Sequence, residues 1–227
     1  MKIFKKINCW LFDLDNTLLK GDSDYNWALF LIEKGLLDKK AFEKKNEQFF
    51  QDYQEGNLDV HEYCGFQFGV LKNNDRELME NLRDQYINEI ILPMIPSAAH
   101  KLVQSHKDKG DRLLIITATN SFITKPIGKL FGIPDLIGTD PEEIDGKFSG
   151  KIAGTPSFQE GKIKRLEEWL DLQGLTLKSF EKTYFYSDSR NDIPLLERVT
   201  HPVAANPDEV LIKKATLHAW PIIHLWQ

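Results

Sequence analysis

Asp13 and Asp15 stand two residues apart at the end of a short apolar run, Ile7 to Asp13, in the segment Phe12-Asp13-Leu14-Asp15-Asn16-Thr17. Side chains two apart on an extended chain share a side, so both carboxyls can reach one substrate. One can attack as a nucleophile, forming an aspartyl-phosphate from a phosphate ester. The other can protonate the leaving alcohol and then take a proton from water. Two further carboxylates, Asp188 and Asp192, follow a second apolar run, Thr183 to Ser187, with Asn191 just before the latter. Thr117 ends a third run, Arg112 to Thr117, with Ala118, Thr119 and Asn120 beyond it, and Lys162 opens the amphipathic stretch Gly161 to Leu172. Four carboxylates in one crevice repel one another, so some hold protons or a cation joins them. An all-oxygen set suits a hard cation such as Mg²⁺, which takes one or two carboxylates with water and phosphate oxygens. A lysine and a threonine hydroxyl beside it complete a phosphate site. The residue types thus predict a Mg²⁺-dependent phosphatase with Asp13 as nucleophile.

The elements needed to gather these residues are strands whose ends meet at one edge. Open α/β sheets bind ligands at the carboxyl ends of their strands. Short apolar runs read as buried strands at Ile7 to Asp13, Arg112 to Thr117, Thr183 to Ser187, Pro202 to Ala205 and Pro221 to Leu225. Helical patterns lie between them, at Ala98 to Lys109, Phe122 to Phe131, Gly161 to Leu172, Asp192 to Val199 and Asp208 to Leu217. Leu136 to Thr139 and Lys147 to Ile152 read as short strands beside the Asp145-Gly146 turn. Strands alternating with helices predict a Rossmann-like, three-layer α/β core with a parallel sheet. Between Tyr25 and about Ile91 the pattern is helical throughout, roughly four helices with aromatic residues at helical spacing. The prolines of Pro93-Met94-Ile95-Pro96 mark its far boundary. The expected division is an α/β core, 1–19 and 92–227, with an all-helical cap at 20–91 that sets substrate specificity.

Taken in order, these segments resemble the haloacid dehalogenase superfamily, in its phosphoserine-phosphatase-like branch. The DxDxT motif is Asp13-Leu14-Asp15-Asn16-Thr17, the strand ending in Ser/Thr is Leu113 to Thr117, the helix-opening lysine is Lys162, and the last motif is Ser187-Asp188-Ser189-Arg190-Asn191-Asp192. The usual glycine before the last motif's first aspartate is Ser187 here. The resemblance implies that Asp13 is nucleophile and Mg²⁺ ligand. It implies that Asp15 is the acid/base and gives the metal its backbone carbonyl, with Asp188 the other metal carboxylate. Thr117 and Lys162 would hold phosphate, with Ala118 and Asn191 in support. Asp192 would support the metal's waters or orient Lys162. In phosphoserine phosphatases an acidic residue at the start of the cap meets the substrate amine. Asp22 stands at the corresponding place, with Asp24 two residues on; the alternative for Asp22 is a helix N-cap. Arg76 and Arg83 are the only arginines of the insert, and neither is a clear partner for a substrate carboxylate. The substrate expected is therefore an amino-bearing phosphate ester, histidinol phosphate or phosphoserine, with the carboxylate-free histidinol phosphate favoured.

The bulk properties narrow the alternatives. A net charge of −5 and the absence of a basic run beyond short pairs such as Lys5-Lys6 and Lys39-Lys40 argue against a nucleic-acid partner. Cys9 and Cys64 form neither a disulfide framework nor a CxxC site, which fits a reducing, cytoplasmic compartment. No stretch has the apolar length of a membrane span, and Met1 to Leu19 is broken by charges unlike a signal peptide. The expected partner is a small-molecule phosphate ester, and the expected state a monomer or homodimer. Other readings are a phosphatase of another metabolite or sugar phosphate, and a receiver-type protein that keeps its phosphate. Asp15 argues against the latter, since it supplies a base for water. A nucleotide-binding module would need a glycine-rich loop after the first strand, and none is present.

Overall fold

The structure, a computed structural model, describes residues 7–55 and 57–226; the Lys5-Lys6 pair lies outside them. Its centre is a six-stranded sheet in the order β3-β2-β1-β6-β7-β8. These strands are β1 (Cys9–Phe12), β2 (Arg112–Asn120), β3 (Leu136–Thr139), β6 (Thr183–Ser187), β7 (His201–Ala205) and β8 (Ile222–Ile223), all paired in parallel. β1 is short and wholly buried, and it lies between β2 and β6. Its alternate residues serve two separate cores. Trp10 and Phe12 join one cluster with Ala99, Val103, Ile123 and Ile127, whereas Cys9 and Leu11 join another with Leu166, Leu170, Leu195 and Leu211. These helical residues belong to α6 (Ser97–Lys107) and α7 (Ser121–Leu130) on one face, and to α8 (Glu160–Asp171), α9 (Ile193–Leu196) and α10 (Glu209–Leu217) on the other. The three layers expected of the core are present.

Between β1 and α6 the described chain is helical: α1 (Ser23–Glu33), α2 (Lys39–Glu55), α3 (Val60–Asn73), α4 (Arg76–Tyr86), a π-helical turn at Ile87–Ile91, and α5 (Leu92–Met94). Asp22, Asp59 and Asp75 start three of these helices by accepting backbone N–H groups. Pro93 departs from expectation, because it sits inside this helical run rather than ending it. The wider π turn ahead of it relieves the clash between a proline ring and the carbonyl one turn back. Pro96 then caps α6. The helix expected over Asp192 to Val199 is shorter, a 3₁₀ turn at Arg190–Asp192 leading into α9, with Pro194 in its first turn. A strand not foreseen, β4 (Pro141–Ile144), pairs antiparallel with β5 (Lys147–Ile152). This hairpin lies against the insert: Arg76 of α4 donates to Glu143 and to the Gly146 carbonyl, and Phe148 is buried in the cluster that the insert shares with the core.

His106 adds a pH-sensitive element to the first core. It is 5% exposed, stacks on Trp10 at 3.4 Å between ring centroids, and no described group hydrogen-bonds either ring nitrogen. Burial, helped by Lys109 and opposed by Asp111, pushes its pKa down to about 4. A base whose folded pKa is depressed contributes full stability above its unfolded pKa and loses it as pH falls. Acidification through about pH 6.5 to 4 should therefore cost up to about 3 kcal/mol through this one residue. His106→Phe, which keeps the ring stack, should flatten that part of the wild-type curve of unfolding free energy against pH; parallel curves would refute the assignment.

Candidate active site

Register brings the first residues together. Phe12 lies level with Ile115 and Tyr186 on the two neighbouring strands, so Asp13 just past β1, Thr117 within β2 and Asp188 just past β6 lie within one residue of the same level. Asp13 N–H donates to the Tyr186 carbonyl at 2.9 Å, which extends the ladder to the nucleophile candidate itself. Thr117 is buried, and its hydroxyl oxygen accepts the Thr119 N–H at 3.2 Å. Ala118 lies in the register shift between β2 and β3, and its carbonyl accepts from the Thr139 hydroxyl.

Lys162 enters from the opposite layer, near the start of α8. Its Nζ donates to Asp13 Oδ1 at 2.7 Å and to Asp192 Oδ2 at 2.8 Å, and the Ser187 hydroxyl donates to Asp192 Oδ2 at 2.7 Å. Gly161, just before it, lets the start of α8 pack against the Pro156 carbonyl, with which a Cβ there would collide. Burial works against the Lys162 charge, but Asp13 and Asp192 more than offset it and hold the ammonium above the usual lysine range. Asp13 is 6% exposed. Burial pushes its carboxyl up to about 7, Lys162 pulling against this and Asp192 and Asp15 adding to it. Asp192 thus lies with Lys162, accepting its ammonium.

Asp15 is turned another way. Its Oδ1 accepts the Ser23 N–H at 2.6 Å and its Oδ2 the Thr119 hydroxyl at 2.7 Å. Burial, with the nearby Asp22 charge, raises it to about 6 against those hydrogen bonds. A carboxyl poised near neutrality can both give and take a proton. Asp188 accepts the Thr17 hydroxyl at 3.0 Å. Burial and the Asp13 and Asp192 charges hold it well above the usual carboxylate range. Among the described residues no three Asp, Glu, His or Cys side chains gather as a self-sufficient metal cage. What is present is a pair of mutually repelling carboxylates, the buried Asp13 and the half-buried Asp188, a donor set that fits one hard cation completed by non-carboxylate oxygens.

Above the sheet edge lies a cleft of about 620 Å³, walled by the strand ends below and by α1, α2 and α3 above. Lys162 is the one cationic side chain among its described lining residues, whereas Asp22, Asp24, Glu43 and Glu47 are all on its upper walls. Arg76 is engaged by Glu80 and Glu143, and Arg83 lies over the Phe122 ring beside Asp84. Both insert arginines are therefore outside the cleft lining. Asp22 caps α1, its Oδ1 accepting the Asp24 and Tyr25 N–H groups. Asp24 is buried and accepts from Asn120 Nδ2 at 2.9 Å and from the Tyr63 hydroxyl at 2.7 Å. Asn191 is 8% exposed, its Oδ1 accepts from Gln159, and its Nδ2 has no partner among the described residues.

A family model for haloacid dehalogenase-like hydrolases matches residues 10–197, which hold every motif residue named above. The chain belongs to this family. A histidinol-phosphatase of Neisseria meningitidis is 46% identical over 218 residues, covering 96% of this chain and 98% of that protein. Among solved structures, a Bordetella pertussis protein of unknown function superposes with a TM-score of 0.93 at 41% identity, over 98% of this chain and 100% of its own. A substrate-bound phosphoserine phosphatase superposes at 0.69 with 18% identity, over 98% and 95%, and shares the fold.

In this haloacid dehalogenase-like hydrolase several supporting groups carry no motif signal. Asn206 Nδ2 donates to the carbonyls of Asn16 and Thr17 at 3.1 and 3.5 Å, holding the turn after β1 from 190 residues away. The Tyr53 hydroxyl of α2 lies 2.8 Å from Ser189 Oγ and links the insert to the loop after β6. Thr17 was visible only as a motif letter; its bond to Asp188 ties the first motif to the last.

Proposed function

We propose that this chain is a phosphoric monoester hydrolase that transfers the phosphoryl group of a small, amino-bearing, carboxylate-free ester to Asp13 and then to water. Membership of the hydrolase family and the likeness to the Neisseria histidinol-phosphatase support the reaction class. The observation that carries the mechanism is the pairing of Asp13 with the buried Lys162 ammonium, while Asp15, two residues on, is held apart by Ser23 and Thr119. One carboxylate is placed beside a positive charge, and the other is held in the protonation range of an acid/base.

In the first step an Asp13 carboxylate oxygen attacks phosphorus, a P–O bond to Asp13 forms and the P–O bond to the alcohol breaks. Asp15 delivers its proton to the departing alkoxide. Asp15 then takes a proton from water as the water oxygen attacks the same phosphorus, the Asp13–phosphorus bond breaks, and inorganic phosphate leaves. Lys162 and the Thr117 hydroxyl stabilise charge on the equatorial oxygens, with Asn191 in support. Mg²⁺ would be held by the Asp13 and Asp188 carboxylates and the Asp15 carbonyl oxygen, and would neutralise negative charge shared by protein and substrate.

Selectivity follows from the sign of the cleft. A substrate carboxylate would meet Asp22, Asp24, Glu43 and Glu47 with no upper-wall cation to receive it, whereas an amine is attracted. Phe49, Phe50, Tyr53 and Phe158 offer aromatic surface to a ring. Histidinol phosphate, with an amine, an imidazole and no carboxylate, fits this wall better than phosphoserine. In a panel of phosphorylated metabolites its kcat/KM should exceed that of phosphoserine by about 100-fold, the scale on which an unpaired charge is rejected. A chelator should abolish turnover and added Mg²⁺ restore it. A preference for phosphoserine would sink the carboxylate-free reading, and full activity in the chelator would sink the metal.

A further inference from the structure

The insert meets the α/β core at places of different character. On one side α3 and α4 lie on the β4–β5 hairpin: Lys72 covers Gly150, Arg76 bonds Glu143 and the Gly146 carbonyl, and Phe148 is buried. On another, in the last turn of α2, the half-buried Tyr53 reaches the loop after β6. Its hydroxyl lies 2.8 Å from Ser189 Oγ, and its ring is tilted over Phe158 at 6.3 Å between centroids. Tyr53, Phe158, Ser189 and Asn191 all line the cleft.

The loop that Tyr53 touches carries Asp188, Asn191 and Asp192, and Ser189 is its internal joint. The Ser189 N–H donates to Ser187 Oγ at 3.1 Å, and Ser189 Oγ accepts the Asn191 N–H at 3.2 Å, which starts the 3₁₀ turn at Arg190–Asp192. The Ser187 hydroxyl in turn donates to Asp192. From the core, Asp208 holds the same loop: its N–H donates to the Asp188 carbonyl and its carboxylate accepts the Arg190 N–H. From the insert, Tyr53 holds it at Ser189. Burial pushes the Tyr53 phenol up to about 12, Ser189 and Asn191 pulling against this and the Asp188 and Asp192 charges adding to it. The hydroxyl therefore keeps its proton and brings no further charge to a site crowded with carboxylates. What it brings is a fixed point one step behind a candidate metal ligand, where such partners orient the ligand and tune affinity.

We propose that Tyr53 is a positioning residue for the metal and phosphoryl site, holding from the insert the loop that carries Asp188, Asn191 and Asp192. This rests on the Mg²⁺-dependent phosphoryl transfer proposed above. It gives the insert a part in the chemistry common to all substrates, besides selection among them. Tyr53→Phe keeps the ring over Phe158 and deletes only the hydroxyl. It should lower kcat by about 10-fold for histidinol phosphate, and by a similar factor for a simple aryl phosphate that lacks both amine and imidazole. It should also weaken Mg²⁺ binding by about 10-fold, read without turnover from the rise of melting temperature with Mg²⁺ concentration. Ser189→Ala should lose more, since the Asn191 N–H loses its acceptor too. Adding Tyr53→Phe to it should cost little further, because the two changes remove one shared hydrogen bond. A loss confined to histidinol phosphate would make Tyr53 a substrate contact and overturn the positioning role. Unchanged Mg²⁺ affinity, or losses that multiply in the double variant, would overturn it as well. A wild-type protein without Mg²⁺-dependent turnover removes the reading beneath, and the proposal with it. If Tyr53→Phe does not fold, Ser189→Ala decides on the same two substrates and the same Mg²⁺ titration.

Discussion

Asn in place of Asp13 is expected to lower kcat by about 10⁴-fold or more, because no neighbouring group can take over as nucleophile. Asp15 is the nearest candidate by sequence, but its carboxyl is held toward Ser23 and Thr119, whereas Lys162 bonds Asp13 and Asp192. The loss should be specific to chemistry. Wild-type protein quenched in acid during turnover should retain labelled phosphoryl group, and the variant should retain none. Misfolding is excluded by a second readout. Burial, Asp192 and Asp15 raise the Asp13 pKa against the pull of Lys162, so its charged form costs the folded state free energy near neutral pH. Asparagine removes that charge and still accepts from Lys162, so the metal-free variant should melt no lower than wild type. A variant that is inactive and also melts well below wild type would leave Asp13 with a structural role instead.

Lys162→Met should do the reverse and damage both properties. The lysine is 3% exposed and bonds Asp13 and Asp192, so its loss leaves two carboxylates buried without their counter-charge. Removing one partner of a buried ion pair costs about 3–5 kcal/mol, which is about 10 °C or more of melting temperature in a chain of this size. Loss of a positive group at the developing phosphoryl charge should reduce kcat/KM by about 10²- to 10³-fold beyond any loss of folded protein. The stability deficit should be smaller near about pH 5 than near about pH 8, because a protonated carboxyl needs no counter-charge. Arginine should not rescue it, since the planar guanidinium fork cannot take the place of a compact ammonium buried between Asp13 and Asp192. A Lys162→Met protein with wild-type stability at both pH values would show that the two carboxylates are compensated by something else.

The core was legible because a parallel α/β sheet writes itself as apolar runs that end in polar residues. The strand at Thr183 to Ser187 and its following Asp188 were readable on that basis, as was Lys162 at the opening of its helix. The insert was legible as helical from aromatic spacing, but not in its detail. Pro93 reads locally as a breaker, and only the π turn before it explains why the helix continues. β4 escaped notice because Pro141-Glu142-Glu143-Ile144 has no strand composition; it exists through pairing with β5 and contact with the insert. The supporting shell was illegible for a simpler reason. Thr17 to Asp188, Thr119 to Asp15 and Asn206 to Asn16 join residues about a hundred or more positions apart, and hydroxyl and amide side chains carry no periodicity to reveal such pairings. Asp22 and Asp24 were both visible, yet only the hydrogen bonds distinguish a helix cap from a buried carboxylate held by Asn120 and Tyr63.

The central place of β1 also governs how the molecule comes into being. Its four residues are near the start of the chain, but its neighbours begin at Arg112 and Thr183. Closing two long loops around it is costly in chain entropy, and such non-local pairing slows folding. A growing polypeptide that has made β2 but not β6 holds Cys-Trp-Leu-Phe as a bare sheet edge, a surface that other chains can pair with. Neither Asp188 nor Asp192 yet exists at that stage. Docking of β6 therefore does two things at once: it covers that edge of β1 and brings Asp188 beside Asp13.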